Sequence, residues 1–145
     1  GDHMSAFLER FAEGFSDLDA SNLHRLGELY SDSVHFSDPL HEVWGLDELE
    51  RYFAQLYANV QALEFEFFAF DQVRDGQGYL RWLMTYEHPR LKGGKPISLE
   101  GCSLLRWNLD GKVERHRDYF DAGALLYQHV PLMGGAIRWL RRRLA

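Results

Sequence analysis

Acidic and imidazole side chains that alternate late in the chain have the types and spacing that acid–base chemistry requires. His116 and Asp118 are two residues apart, so in a β-strand both side chains point to the same face of the sheet. A carboxylate that points into an apolar interior needs a hydrogen-bond partner, and such groups cluster at functional sites. Asp118 is therefore the leading catalytic candidate, with His116 as its assistant. The alternative is a purely structural role, in which Asp118 bonds His116 or a helix terminus.

A second group of candidates lies in residues 35–41, His-Phe-Ser-Asp-Pro-Leu-His. Asp38 has the chemistry of a general base, and His35 is a candidate assistant. The alternative for Asp38 is turn closure, because Asp-Pro pairs commonly close turns through bonds from backbone N–H groups. His35, Asp38 and His41 can be written as a metal site, since imidazole suits zinc, copper or iron, but their spacing matches no strong metal motif. We predict neither a metal nor an organic cofactor.

The elements that position these residues begin with helices. Apolar side chains at helical spacing predict a first helix over Ser5–Leu18 and a third over about Leu46–Val60. Between them, Ser21 is expected to cap a second helix whose apolar face ends with Tyr30. A short strand that enters a proline turn is expected within residues 35–41.

The second half of the chain has the pattern of long strands separated by turns. Pairs such as Asp75-Gly76 and Asp110-Gly111 favour tight hairpins, which predicts an antiparallel meander. A last amphipathic stretch, Asp121–Leu144, predicts two short helices. Helices followed by such a meander are typical of an α+β fold with the helices on one sheet face. The four predicted strands span Leu63–Asp71, Tyr79–His88, Ile97–Trp107 and Val113–Asp121.

Strand alternation predicts which side chains meet the helices. The even positions from Leu80 to His88 and the odd positions from Ile97 to Trp107 form the apolar sets of their strands. Polar residues within such a face are what a ligand pocket needs, although core packing is the alternative for each apolar side chain. The predicted ligand-binding residues are Trp82, Met84, Tyr86, His88, Leu99, Ser103 and Phe120.

Composition and charge exclude several classes of protein. The 145 residues, 46% of them hydrophobic, suit one domain, expected over residues 5–145 because residues 1–4 resemble a cloning scar. The net charge is −6 even with four arginines in the last eight residues, and this acidic body argues against nucleic acid. We expect those arginines to complement a helix dipole rather than to bind a membrane. With no membrane-spanning run and a single cysteine, Cys102, we expect a cytoplasmic protein.

Three motifs resemble the nuclear-transport-factor-2-like superfamily, in its SnoaL-like branch. They are residues 29–39 (LYSDSVHFSDP), the hairpin at 107–113 (WNLDGKV) and residues 117–121 (RDYFD). The resemblance implies a cone-shaped curved antiparallel sheet wrapped by helices, enclosing an apolar pocket and usually forming a homodimer. Members include ketosteroid isomerases, limonene-type epoxide hydrolases, polyketide cyclases and many binding domains with no known chemistry, so the fold does not decide the function.

Comparison with ketosteroid isomerases places Asp38 at the position of their general base. Phe11 falls at their oxyanion-hole tyrosine, and Ser103 falls near their protonated aspartate. Phe11 cannot donate a hydrogen bond and Ser103 is the weaker donor, so an enolate would lose most of its stabilisation. The resemblance therefore argues against ordinary ketosteroid isomerase activity.

Comparison with limonene-type epoxide hydrolases matches Asp118 to the carboxylate that activates water. The residues that hold that water fall at His35 and Ser37, and the site's arginine and second aspartate fall at Thr85 and Glu87. Without the arginine the hydrolase site is incomplete. Strand alternation also turns Thr85 and Glu87 away from the pocket.

Two hypotheses follow for the function. In the first, the pocket is the active site of a cofactor-independent isomerase, cyclase or hydrolase in which Asp118 moves a proton and Asp38, His35 and His116 assist. In the second, the chain is a non-catalytic dimeric binding or scaffold domain. The expected partners are a small apolar ligand and a second copy of the chain, with neither nucleic acid nor membrane.

Overall fold

A computed structural model describes residues 6–123 of the chain. Its two α-helices are amphipathic, as the apolar spacing predicts, and each packs its apolar face on the sheet. Two short 3-10 helices cover Leu23–Glu28 and Lys92–Gly94. The α-helices span Ala6–Ser16 (α1) and Leu46–Asn59 (α2).

Six strands form a single curved, unclosed sheet in the order β2-β1-β6-β5-β4-β3. The last four strands form the predicted antiparallel meander, and β1 extends it by pairing parallel to β6. The predicted α+β class and cone-shaped fold are therefore confirmed. The strands span Tyr30–Ser37 (β1), Glu42–Trp44 (β2), Gln61–Arg74 (β3), Gln77–Glu87 (β4), Ile97–Trp107 (β5) and Val113–Phe120 (β6).

The predicted second helix is wrong in its type and its end. It is a six-residue 3-10 helix, and Tyr30 instead begins β1, opposite Val113 of β6. Ser21 does not cap it, because its backbone N–H and its hydroxyl both donate to Asp19 Oδ1, at 2.8 and 2.5 Å. Tyr30 is buried in the sheet, and buried and partly buried side chains alternate from Val34 onward, so the pairing of β1 with β6 overrides local helical spacing. The predicted helices within Asp121–Leu144 lie almost entirely outside the described residues.

The hydrophobic core lies between the two helices and the concave face of the sheet. Rings from both helices meet there, with Phe15 of α1 edge-on to Phe53 of α2 and to Phe65 of β3 at centroid distances of 5.7 and 5.2 Å. Alternation in β4 is as predicted, since Leu80 and Trp82 are buried. The helices thus cover one face of the sheet and leave space beneath them. Within residues 6–123, no helix is long and apolar enough to cross a membrane.

Candidate functional site

An apolar cavity of about 170 Å³ lies between the helices and the concave face of the sheet. Half of the residues around it are aromatic, and its polar lining consists of two aspartates, two histidines, a serine and a tyrosine hydroxyl. His41, with a side chain 49% exposed, marks its mouth. The lining is Phe11, Phe15, Phe36, Asp38, Leu40, His41, Tyr52, Phe53, Leu56, Phe65, Phe67, Leu80, Trp82, Met84, Ser103, His116, Asp118 and Phe120.

Asp118 is held in the cavity wall by hydrogen bonds to one of its two oxygens. Ser103 Oγ donates to Oδ1 at 2.5 Å, and His116 Nε2 lies 2.6 Å from the same oxygen. Behind them, Trp82 Nε1 donates to Ser103 Oγ at 2.8 Å, and Tyr30 Oη lies 2.8 Å from His116 Nδ1. Adjacent strands place these groups side by side, because Ser103 of β5 is directly opposite Asp118 of β6.

Hydrogen-bond satisfaction indicates where the protons of this group lie. Burial raises the pKa of Tyr30 well above its ordinary value, so its hydroxyl keeps its proton. Among residues 6–123, the hydrogen-bond partner of that hydroxyl is His116 Nδ1, so the hydroxyl is satisfied as a donor when Nδ1 carries no hydrogen. The other nitrogen, Nε2, then carries hydrogen and donates to Asp118. A neutral imidazole thus satisfies every group in the chain of bonds. His116 has both nitrogens occupied and positions Asp118.

The second oxygen of Asp118, Oδ2, has no hydrogen-bond partner among residues 6–123. The side chain is 18% exposed and lines the cavity. A carboxylate oxygen can only accept hydrogen bonds when the group is ionised. Asp118 therefore presents one fixed oxygen and one available acceptor beside the aromatic rings.

Asp38 lines the same cavity with both of its oxygens occupied. Oδ1 accepts the backbone N–H groups of Leu40 and His41 at 2.8 and 2.7 Å, while Oδ2 accepts the Tyr52 hydroxyl at 2.5 Å. Burial raises the pKa of Asp38, but hydrogen bonds from His41, Tyr52 and the Leu40 N–H outweigh it and hold that pKa below its usual range. This geometry is turn closure, the alternative given above for Asp38, and leaves no acceptor aimed at a ligand.

Replacing Asp38 with Asn is expected to cost about 1–2 kcal/mol of unfolding free energy at pH 7, since bonds to a charged acceptor are the stronger ones. The folded pKa lies below the ordinary value of 3.8, so the ionised carboxylate's contribution is complete above about pH 4 and is lost as pH falls through the folded pKa. Urea unfolding at pH 7 and pH 3 should therefore give a difference between the two proteins that shrinks in acid. Asp110→Asn, in an exposed turn, is the matched control. A difference independent of pH would contradict this account.

The structure places His35 away from the cavity. Its ring stacks on Trp44 of β2 with centroids 3.6 Å apart, and its Nε2 lies 2.9 Å from Glu42 Oε1. The side chains of Val34 and Phe36 point inward on either side of it. His35 thus lies on the opposite face of β1 from Asp118, and it is not part of the site described here. Within the described part of the chain, no three His, Cys, Asp or Glu side chains are grouped as metal ligands.

Of the predicted ligand-binding residues, Trp82, Met84, Ser103 and Phe120 line the cavity. The other three do not. Tyr86 and Leu99 are buried farther along the same sheet face, and His88 lies in the turn after β4, where its Nδ1 accepts the Arg90 N–H at 3.1 Å. The cavity ends at Met84, so the same strand face continues beyond it as core.

Sequence reasoning missed Tyr52 and Tyr30, which bond Asp38 and His116. Tyr52 lies beside Phe53 in α2, but the apolar spacing that predicts this helix does not include it. Tyr30 was assigned to a helix, which concealed its position in the sheet. Val34 and Phe36 alternate with polar residues and indicate the inward face of β1, but Tyr30 lies four residues before Val34, across an irregularity in the pairing with β6, so alternation does not place it.

Thr85 and Glu87 test the match to the epoxide hydrolase site. Neither lines the cavity, and the Thr85 hydroxyl instead lies 3.3 Å from Ser98 Oγ on the other face of the sheet. Met84, whose side chain lies on the opposite face of β4, does line the cavity. Strand alternation therefore gave the correct orientation, and positions 85 and 87 do not supply the hydrolase's arginine–aspartate pair.

A curved sheet that is wrapped by helices around an apolar cavity, with a buttressed carboxylate in its wall, defines the class of cone-shaped α+β pocket proteins. Within that class, residues 6–116 match the family model of the SnoaL-like domain, so the chain belongs to the SnoaL-like family. The predicted family membership is thereby confirmed. No curated protein sequence matches the chain.

Solved structures with the same fold have diverged far in sequence. An NTF2-like protein of unknown function from Exiguobacterium sp. 255-15 is 19% identical, with a TM-score of 0.65 over 80% of this chain and 98% of that one. A putative SnoaL-like polyketide cyclase from Jannaschia sp. CCS1 is 15% identical, with a TM-score of 0.70 over 86% and 92%. An LEH-like epoxide hydrolase from M. tuberculosis is 14% identical, with a TM-score of 0.64 over 81% and 84%. At these identities the likeness establishes the fold alone.

Proposed function

We propose that the cavity binds a compact, mostly apolar molecule and that Asp118 moves a proton to or from it without an organic cofactor. The observation that carries this proposal is the asymmetry of Asp118. Ser103 and His116 hold its Oδ1, while Oδ2 has no partner in the described residues and the side chain lines the cavity. A general base needs such an acceptor within reach of the proton that it takes.

The size of the cavity limits the molecule that it can enclose. An apolar cavity of about 150 Å³ in another protein holds benzene, and the cavity here measures about 170 Å³. The enclosed part of the ligand is therefore about the size of one six-membered ring. A fused polycyclic skeleton such as a steroid would have to extend through the mouth past His41.

The residues behind Asp118 serve to position it. Trp82, Ser103, His116 and Tyr30 form two rows of donors that converge on Oδ1, so the carboxylate cannot rotate without losing hydrogen bonds. The surrounding rings make the environment of Asp118 largely apolar, which strengthens electrostatic interactions with a bound molecule. Asp118 thus acts as the acid or base, and the others hold it in place.

Non-catalytic binding is the second candidate function, and one observation favours it. Proton-transfer enzymes commonly use a second polar group to stabilise the charge that develops on the substrate. Here the other polar side chains of the lining are already engaged, since Asp38 closes a turn and Tyr52 donates to it. A molecule held only by apolar contacts and Asp118 Oδ2 would then be stored or carried unchanged.

The proposal is tested by a substitution that fills the cavity, followed by a measurement of ligand binding. Leu56 lines the cavity, whereas Leu83 is a half-buried residue of β4 that does not. In ligand-observed NMR with single-ring compounds, Leu56→Trp should weaken binding at least about tenfold, because the indole occupies the ligand's space. Leu83→Trp should bind as the wild type does. Equal binding by both variants would contradict the cavity as the site.

The same compounds in D₂O distinguish the two candidate functions. Exchange of a carbon-bound hydrogen, or conversion of the compound, supports proton transfer, whereas binding without either favours the carrier. Native mass spectrometry of the purified protein detects any compound that co-purifies with it, and that compound is then tested together with the single-ring compounds. The same measurement also gives the subunit count, which we propose to be two on the basis of the family resemblance.

A further inference from the structure

The charges around the cavity are unbalanced. Among residues 6–123, its lining holds the carboxylates of Asp38 and Asp118 and no lysine or arginine. The basic residues nearest in sequence face the other way: Arg115 donates to the carbonyl of His35 and to Ser37 Oγ, and Arg117 lies 4.6 Å above the ring of Tyr119. An anionic ligand would therefore meet repulsion without a counter-charge.

The two histidines of the lining do not supply the missing positive charge at Asp118. His116 is neutral in the bonding pattern that satisfies Tyr30, and His41 at the mouth lies 3.2 Å from Asp38 through Nδ1. A buried carboxylate without a cationic partner is costly, and a cation that reaches it recovers part of that cost. A positively charged ligand would supply that cation to Asp118.

The remaining walls are also suited to a cation. Nine of the lining residues are Phe, Tyr or Trp, and the rings of Phe65 and Phe120 lie 5.8 and 6.4 Å from that of Trp82. Aromatic faces carry partial negative charge and attract ammonium groups, most strongly where water is excluded. Rings and carboxylate together favour a positive group over a neutral one of the same size.

We infer that the cavity selects small amines, bound as ammonium ions, whose N–H donates to Asp118 Oδ2 and whose apolar body lies among the aromatic rings. This deepens the proposed function and rests on its binding part. It holds equally for a catalytic and for a non-catalytic cavity. A neutral alcohol would satisfy the same acceptor but would leave the charge of the cavity uncompensated.

Three probes of one shape and different charge test the inference at pH 7: benzylamine (+1), benzyl alcohol (0) and benzoate (−1). By calorimetry or ligand-observed NMR, benzylamine should bind about tenfold more tightly than benzyl alcohol, and benzoate more weakly than either. In Asp118→Asn the advantage of the amine should fall below about threefold, with the alcohol little changed. Asp75→Asn, in an exposed turn, should retain the full advantage.

Phe120→Leu gives a second comparison that does not depend on Asp118. It keeps an apolar side chain in the lining but removes one aromatic face, so the amine should lose more affinity than the alcohol does. If benzyl alcohol binds as tightly as benzylamine to the wild type, the amine inference is overturned while the proposed pocket stands. If none of the three probes binds, the binding part of the proposed function fails and the inference fails with it.

Discussion

Replacing Asp118 with Asn should lower kcat for a substrate of the cavity by about 10²- to 10⁴-fold, the usual contribution of a positioned acid or base. The amide is nearly isosteric and can still accept from Ser103 or His116 through its oxygen. It has no carboxylate oxygen at Oδ2 to take a proton, and its NH₂ group would stand there as a donor. The loss should therefore appear in kcat rather than in unfolding. Single-turnover kinetics on a substrate found by exchange or co-purification would measure it.

Two comparisons make the Asp118 result specific. Asp75→Asn removes the same charge at an exposed hairpin turn, where Asn-Gly serves as well as Asp-Gly, and should leave kcat unchanged. Ser103→Ala removes one of the two donors to Oδ1. Its kcat should lie between those of Asp118→Asn and Asp75→Asn, because the carboxylate of Asp118 is still present but is less firmly oriented. A kcat for Asp118→Asn within about threefold of the wild type would exclude Asp118 as the acid or base.

Much of the sheet could be predicted because its strands are long and regular. In β4 and β5, period-two alternation is interrupted only at turns, so the orientation of Trp82, Met84 and Ser103 follows from parity alone. The same alternation places the side chains of His116 and Asp118 on one face of the sheet. Sequence patterns do not show how far a cavity extends along a face. Tyr86 and Leu99 therefore share that face without lining the cavity.

His35 is a different case, because the family resemblance and strand alternation place its side chain on opposite faces of β1. The match to the epoxide hydrolase placed His35 beside the catalytic water. In β1, however, Phe36 pairs with His116 while His35 pairs with Arg115, so the two faces are fixed by the register with β6. A one-residue difference in a strand reverses the face completely. The buried pair Val34 and Phe36 carried the correct signal in the sequence.

Contacts between elements distant in sequence were beyond prediction. Tyr30 and His116 are 86 residues apart and meet through the parallel pairing of β1 with β6. Tyr52 meets Asp38 because α2 packs on β1. Neither contact leaves a periodic trace in one sequence. Asp118 and His116 were identifiable as candidates from their residue types and spacing, whereas the groups that orient them required the structure.

Gly101 limits the position of the Trp82 ring, and replacing it with Ala should destabilise the protein by about 1–3 kcal/mol, the usual cost of overpacking. The two residues are directly opposite each other in β4 and β5, and an added Cβ would lie 2.2 Å from Trp82 Cη2. The ring is 3% exposed and bonded to Ser103, so it cannot move into solvent. It must move toward the cavity, which would break that bond and remove space for the ligand. Stability and ligand affinity should therefore fall together.

Urea unfolding, the chemical shift of the Trp82 Nε1–H and probe titration would follow the three expected consequences of Gly101→Ala. Gly27→Ala is the matched control, because its added Cβ would lie an ordinary 3.6 Å from Leu46 Cδ2 and should change stability by no more than about 0.5 kcal/mol. If the Gly101→Ala protein is destabilised but binds the probes with unchanged affinity, the added Cβ is accommodated by a shift of the sheet backbone and not by a movement of the Trp82 ring. That outcome would show that the packing of Trp82 does not determine the shape of the cavity, and that its ring does not set the size of the ligand.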